Sequence, residues 1–145
     1  MNYFFDSSSL TKLFSNEMGS NTVISIVEDK NADIWISDLI RVEIQSAVLR
    51  KFRNNQFTER ELEIILTLIR EQLDLFNQIT MSGEIVQEAE QLIRTYGKID
   101  GLRSLDALHL ACWIVNSEND WIFVTSDAIQ YKIIHRLNGE SLFVE

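Results

Sequence analysis

Apolar residues are spaced along the chain in two rhythms. Continuous short runs of aromatic and β-branched residues at Tyr3–Phe5, Ile34–Ile36 and Trp121–Thr125 predict buried strands, the last (WIFVT) being the clearest. Leu75–Ile79 and Leu142–Val144 are weaker candidates for the same role. Between them, spacings of three and four predict helices over Leu10–Phe14, Thr22–Glu28, Leu39–Phe52, Glu59–Leu73, Glu84–Tyr96, Leu105–Val115 and Ala128–Leu137. Ile85, Ala89, Leu92, Ile93 and Tyr96 show the one-faced pattern best. Thr58 with Glu61 makes a capping box, and Ser82 can cap the helix after it.

Strands that alternate with helices and are largely apolar predict an α/β domain whose parallel sheet is covered on both faces. Such sheets bind ligands beyond the carboxyl ends of their strands. With no proline, five glycines, no repeat and no low-complexity stretch, nothing marks an internal boundary, so residues 1–145 are expected to form a single domain. That length is enough to bury roughly 68–70% of the surface exposed by the unfolded chain. The one cysteine, Cys112, lies in the apolar run ALHLACWIV and is expected to be a core residue. No run approaches the ~18 apolar residues of a membrane-spanning helix, and Met1–Leu10 lacks the features of a signal peptide. A reducing, cytoplasmic setting without a membrane partner is the expectation.

Against this apolar background four acids stand out. Asp6 (NYFFDSSSL) and Asp127 (IFVTSDAI) each follow a predicted strand, whereas Glu43 (ISDLIRVEI) and Asp106 (RSLDALHLA) lie near the starts of apolar helices. An ionised carboxylate costs several kcal/mol to desolvate unless it is paired or holds a metal. From two strand ends and two helix starts the four can converge on one cleft, where Ser37 and Asp38 could cap the helix that carries Glu43. Grouped carboxylates raise one another's pKa values unless a cation joins them. The absence of clustered His or Cys makes Mg²⁺ or Mn²⁺ the fitting ion. Such a site supports attack of water on a phosphodiester.

The net charge of −9 opposes nucleic-acid binding. Setting the four acids aside still leaves 18 acids against 13 bases. Arg41, Arg50, Lys51 and Arg53, however, fall within thirteen positions. They are either a solvated helix end or a patch for substrate.

Together, the strand followed by Asp-Ser-Ser-Ser-Leu, the spacing Ser37-x5-Glu43, the segment LRSLDALHLA and the late VTSD resemble a PIN-domain nuclease of the bacterial VapC-like toxin type. The resemblance runs from Tyr3 to Asp127. It implies a three-layer α/β/α sandwich with a central, mainly parallel sheet, and metal-dependent cleavage of RNA. By this resemblance Asp6, Glu43, Asp106 and Asp127 match the family's acidic metal-site positions, with Asp6 and Asp106 as the foremost direct ligands. Ser8 and Thr125 match its supporting hydroxyls, and Lys12 a position that is often basic. A cognate antitoxin protein and a homodimer are the partners implied, beside the RNA substrate.

Plainer roles exist for the same residues. Asp6 and Asp127 are well placed as helix N-caps, and Asp106 can pair with Arg103. His109, on the face of Asp106, is expected to be packed or hydrogen-bonded rather than a general base, and His135 to lie at the surface. Trp35, Trp113 and Trp121 read as packing residues, and Lys12 either nears the cleft or covers a helix. A phosphotransfer domain with Asp6 as nucleophile would need a second Asp where Ser8 stands. A catalytically silent interaction module of the same fold is the alternative to a nuclease.

Overall fold

The computed structural model describes residues 1–145. Five strands form one sheet: β1 (Asn2–Phe5), β2 (Asp33–Ser37), β3 (Asn77–Ile79), β4 (Trp121–Thr125) and β5 (Glu140–Phe143). Their order is β3-β2-β1-β4-β5, and every neighbouring pair is parallel. The first strand made is therefore the central one. Phe5 stands opposite Ile36 on one side and Val124 on the other.

Successive side chains of a strand point to opposite faces, and the adjacent, fully buried Phe4 and Phe5 seed two cores. Phe5, Ile34, Ile36 and Val124 pack against α2 (Ser20–Glu28), α3 (Ile40–Arg53) and α4 (Glu59–Leu73). Phe4 and Phe123 pack against α5 (Gly83–Leu92), α7 (Ser104–Asn116) and α8 (Ala128–Arg136). This is the three-layer α/β/α arrangement expected, with a sheet that is wholly parallel. Trp35 stacks on Trp121 at 4.6 Å between ring centroids, and Trp113 meets Phe123 edge-on at 5.8 Å, so all three tryptophans serve packing. Burying each of these large apolar side chains is worth about 1.5–3 kcal/mol.

Several boundaries differ from the sequence pattern. Instead of a helix over 10–14, Asp6 caps a short α1 (Ser7–Leu10) that tightens into a 3-10 turn (Thr11–Leu13). The helix over 84–96 ends earlier: after Leu92 the chain widens into a π turn (Ile93–Gly97), followed by α6 (Lys98–Asp100) and a left-handed Gly101 (φ 72°). Leu75 lies outside β3 and is exposed. The Thr58–Glu61 capping box and the Ser82 cap both form. Asp38, however, does not cap α3. Its carboxylate accepts from the Met81 backbone N–H at 3.3 Å and ties the end of β2 to the loop after β3, while Ser37 Oγ accepts from Leu39 N at 3.1 Å. No helix is long and apolar enough to cross a membrane.

Candidate functional site

The carboxyl ends of β1 and β4 are adjacent, so the residues that follow them meet. Asp6 accepts from Ser9 N and Asp127 from Gln130 N, each at 2.9 Å, which makes both acids N-caps of the helices that leave the sheet. The plain role and the convergence are thus one fact. Capping holds each carboxylate at the helix start, and the parallel pairing of β1 with β4 sets the two starts side by side.

Asp6 is completely buried. Its oxygens receive Thr125 Oγ1 (2.6 Å), Ser8 Oγ (2.8 and 2.9 Å), Ser9 Oγ (2.8 Å) and Gln130 Nε2 (2.8 Å) as well as Ser9 N. Thr125 Oγ1 is aimed by the Asp127 N–H that donates to it at 2.9 Å, and Ser8 Oγ likewise by Ser126 N at 2.9 Å. Burial raises the Asp6 pKa. The hydrogen bonds from Thr125, Ser9 and Ser8 and the nearby His109 pull the other way without overcoming it.

Asp106, in the first turn of α7, also has a raised pKa. Burial is the main cause, the negative charges of Asp127 and Asp6 add to it, and Arg103 opposes them. The Arg103 Nε to Asp106 Oδ2 pair is present at 3.3 Å, and Asp106 Oδ1 accepts from Gln130 Nε2 at 3.3 Å. Glu43, in the first turn of α3, behaves differently. Burial would raise its pKa, yet hydrogen bonds from His109 and Ser7 (Ser7 Oγ at 2.9 Å) and the charge of His109 leave it below the usual range. His109 is fully buried with Nε2 2.5 Å from Glu43 Oε1, the hydrogen-bonded role expected of it.

Glu43, Asp106 and Asp127 line one cleft of about 670 Å³ together with Ser7, Ser8, Arg50 and Arg103. Asp6 lies beneath its floor. Of the five basic residues singled out in the sequence, only Arg50 lines this cleft. Lys12 is buried and committed to Glu17 (3.1 Å) and the Met18 carbonyl (2.9 Å), because its helix face turns into the fold. Lys51 pairs with the same Glu17 at 3.1 Å, and Arg41 with Asp74 at 2.8 Å. Arg53 lines a separate shallow depression beside Val42, Gln45, Ser46 and Leu49. The second cation of the cleft is Arg103, seen in the sequence only as a partner for Asp106.

Ser7, Ser9 and Gln130 were also not singled out. Ser7 and Ser9 flank Ser8 in the DSSSL run, and Gln130 stands one helical turn after Asp127, so spacing was the one signal available for it.

No three His, Cys, Asp or Glu side chains stand in a metal-ligating array, and both oxygens of Asp6 are taken by neighbouring donors. The chemistry of the site nonetheless suits a hard divalent ion. Its donors are carboxylates and hydroxyls, and mutual repulsion loads Asp106 in a way that a cation relieves. In donor type and charge these residues fit Mg²⁺ or Mn²⁺.

A model of the PIN domain family matches residues 3–135. The chain belongs to the PIN domain family. The PIN domain family is a family of nucleases, some of whose members are inactive. Solved structures that this PIN domain resembles include VapBC2 from Rickettsia felis bound to a DNA fragment from its promoter, with TM-score 0.63, 18% identity and 100% of both chains covered. VapBC-1 from nontypeable Haemophilus influenzae gives TM-score 0.66 at 13% identity, covering 99% of this chain and 98% of that one. FitAcB from Neisseria gonorrhoeae gives 0.69 at 14%, covering 97% and 96%. Comparison with curated proteins gives no match.

Proposed function

We propose that this PIN domain is a Mg²⁺- or Mn²⁺-dependent endoribonuclease whose acidic site is Asp6, Glu43, Asp106 and Asp127. The observation that carries this reading is the convergence of Glu43, Asp106 and Asp127 on one cleft at the sheet's carboxyl edge, with Asp6 joined to Asp106 through Gln130 and with Arg50 and Arg103 lining the same cleft. A fold gains nothing in stability by gathering like charges there, whereas a cation site needs them.

A bound divalent ion would supply an activated water and counter-charge for the leaving oxygen of a phosphodiester. The protein's own groups do the rest. His109 and Ser7 keep Glu43 ionised and aimed. Ser8 and Thr125 hold Asp6, and Asp127 faces the cleft from the start of α8. Arg103 is three-quarters exposed and free to exchange Asp106 for a substrate phosphate when a cation takes that carboxylate; Arg50 holds the strand farther along the cleft.

The structural likeness to VapBC and FitAB proteins supports a further part of the reading, that the chain is the toxin of a toxin–antitoxin pair; that it also pairs with itself as a homodimer is part of the same proposal. A dimer does not lessen the net negative charge, but it would set the cleft arginines of both copies against one RNA. A silent interaction module of the same fold is supported by one observation, the full commitment of the Asp6 oxygens to internal donors.

The deciding experiment is cleavage of a mixed RNA pool by partner-free protein, with Mg²⁺ or Mn²⁺ and with EDTA, beside Asp6→Asn and Asp106→Asn. The expected result is metal-dependent cutting lost in both variants. Cutting that survives EDTA, or survives in both variants, refutes the assignment; folded protein that cuts no RNA favours the silent module.

A further inference from the structure

Gln130 is an uncharged residue in the most charged part of the molecule, and its side chain is almost wholly buried. Its Nε2 lies 2.8 Å from Asp6 Oδ2 and 3.3 Å from Asp106 Oδ1, so each of its two amide protons serves a different acid. A neutral group with a positive edge therefore stands between two carboxylates that would otherwise face each other. The other half of the amide is an anomaly: Gln130 Oε1 is buried and has no hydrogen-bond partner. Such an acceptor costs about 1–3 kcal/mol.

The hydrogen-bond count at Asp6 makes this arrangement matter. A carboxylate has about four lone-pair sites, and five donors already converge on it: Ser8 Oγ, Ser9 N, Ser9 Oγ, Thr125 Oγ1 and Gln130 Nε2. A cation that uses Asp6 must displace one of them. Ser9 N is the backbone cap of α1, and Thr125 Oγ1 and Ser8 Oγ are each fixed from behind by a backbone N–H. Ser9 Oγ has a second acceptor in the Val124 carbonyl at 2.7 Å, but it reaches only Asp6 among the acids. Gln130 alone joins Asp6 to Asp106, and only its carboxamide can turn over and present an orphaned oxygen where its NH₂ stood.

Resting on the metal-dependent reading given above, we infer that Gln130 is a gate on the cation site. Its NH₂ occupies the bridge between Asp6 and Asp106 in the cation-free protein and yields it, by rotation of the amide, when a divalent ion binds. Gln130 thus stabilises the empty acid pair and weakens the apparent affinity for the ion. In the loaded state Oε1 faces the ion, a contact from a neutral oxygen that is weaker than the two charge-assisted bonds given up to Asp6 and Asp106, so the net effect of the amide is to favour the empty site.

The test needs no activity. Mn²⁺ affinity is measured by electron paramagnetic resonance for the wild type and Gln130→Met, which keeps length and volume but removes both polar atoms. The variant is expected to bind roughly tenfold tighter, the equivalent of one charge-assisted hydrogen bond removed from the competing state. In the wild type, the side-chain NH₂ resonances of Gln130 are followed by NMR during a Mg²⁺ titration. They should be protected from solvent exchange without Mg²⁺ and should shift and lose protection as it saturates. An affinity in Gln130→Met equal to or weaker than wild type, or NH₂ resonances unmoved at saturating Mg²⁺, overturns the gate while leaving the metal site standing. Wild-type protein that binds neither ion removes the metal-dependent reading and the gate with it.

Discussion

Replacing Asp6 with asparagine separates what the carboxylate does for the fold from what it does for chemistry. Asn caps helices about as well as Asp, so the bond from Ser9 N survives. The amide nitrogen then takes the place of Asp6 Oδ2, facing Thr125 Oγ1 and Gln130. Thr125 can still donate to the remaining oxygen or accept from the new NH₂, and Gln130 can turn its unpartnered Oε1 to accept as well. The hydrogen-bond count falls by about one, worth about 1 kcal/mol, while the buried charge disappears. Because burial raises the Asp6 pKa, the ionised form is disfavoured in the folded state, and each unit of such a shift is about 1.4 kcal/mol at neutral pH. The removal of the buried charge favours the variant and the lost hydrogen bond opposes it. We therefore expect Asp6→Asn, in EDTA at pH 7, to be no less stable than the wild type, with a Tm equal to or above it.

The pH sign can be checked. With a folded pKa above the unfolded value, the wild type carries its penalty above the folded pKa and sheds it as pH falls towards the unfolded value, about 3.9. The variant's advantage should shrink over that window. Urea unfolding in EDTA and again in saturating Mg²⁺ is the assay. The order of stability should reverse with Mg²⁺, which stabilises only the protein that binds it. A loss of more than about 2 kcal/mol in EDTA would refute the reasoning, because it would make the Asp6 charge a structural necessity.

Other perturbations have equally definite outcomes. His109→Leu removes the strongest influence holding the Glu43 pKa down, so burial takes over and the carboxyl should titrate above the ordinary glutamate range in a carbon-detected NMR titration; an unmoved value contradicts this. Glu17, held at about 2 by Ser15 and then by Lys12 and Lys51, contributes stability that is present above its unfolded pKa and lost as pH falls through about 2. Glu17→Gln should accordingly lower the urea midpoint at pH 7 and match the wild type near pH 2; an equal loss at both pH values argues against the assignment. Gly139→Ala would drive a methyl carbon into the Trp113 ring and within 2.9 Å of Ile134. It should cost about 1–3 kcal/mol by overpacking, read as an early midpoint in a tryptophan-fluorescence melt.

Much of the architecture was legible because the sheet is buried on both faces. WIFV at Trp121–Val124 is apolar without a break up to the site hydroxyl of Thr125, as a strand covered on both faces requires. The edge strand β5 reads weakly as ESLF because it is only half covered. The end of α5 escaped notice for a geometric reason. Ile85, Ala89, Leu92, Ile93 and Tyr96 keep one helical rhythm, yet the backbone widens into a π turn at Ile93, a change that side-chain polarity does not record. In the site, charge was the visible signal, and so Asp6, Glu43, Asp106 and Asp127 stood out among apolar neighbours while the neutral Gln130 did not. The cations misled for a related reason. Sequence shows that Lys12 and Lys51 are basic, but not that both turn to Glu17.

The strand that carries Asp6 occupies the middle of the sheet, although it is the first to be made. Its second neighbour is β4, and two of the side chains that hold its carboxylate, Thr125 and Gln130, follow it by 119 and 124 residues. At ~5–20 residues per second of synthesis, a growing chain spends on the order of ten seconds with Asp6 completed and the far half of its surroundings not yet translated. Pairing across such a span is also among the slower steps of folding. Translation order therefore delays the site: until Thr125 and Gln130 have been made, Asp6 lacks two of the side chains that hold its carboxylate, and the acidic cleft is incomplete in any shorter nascent chain.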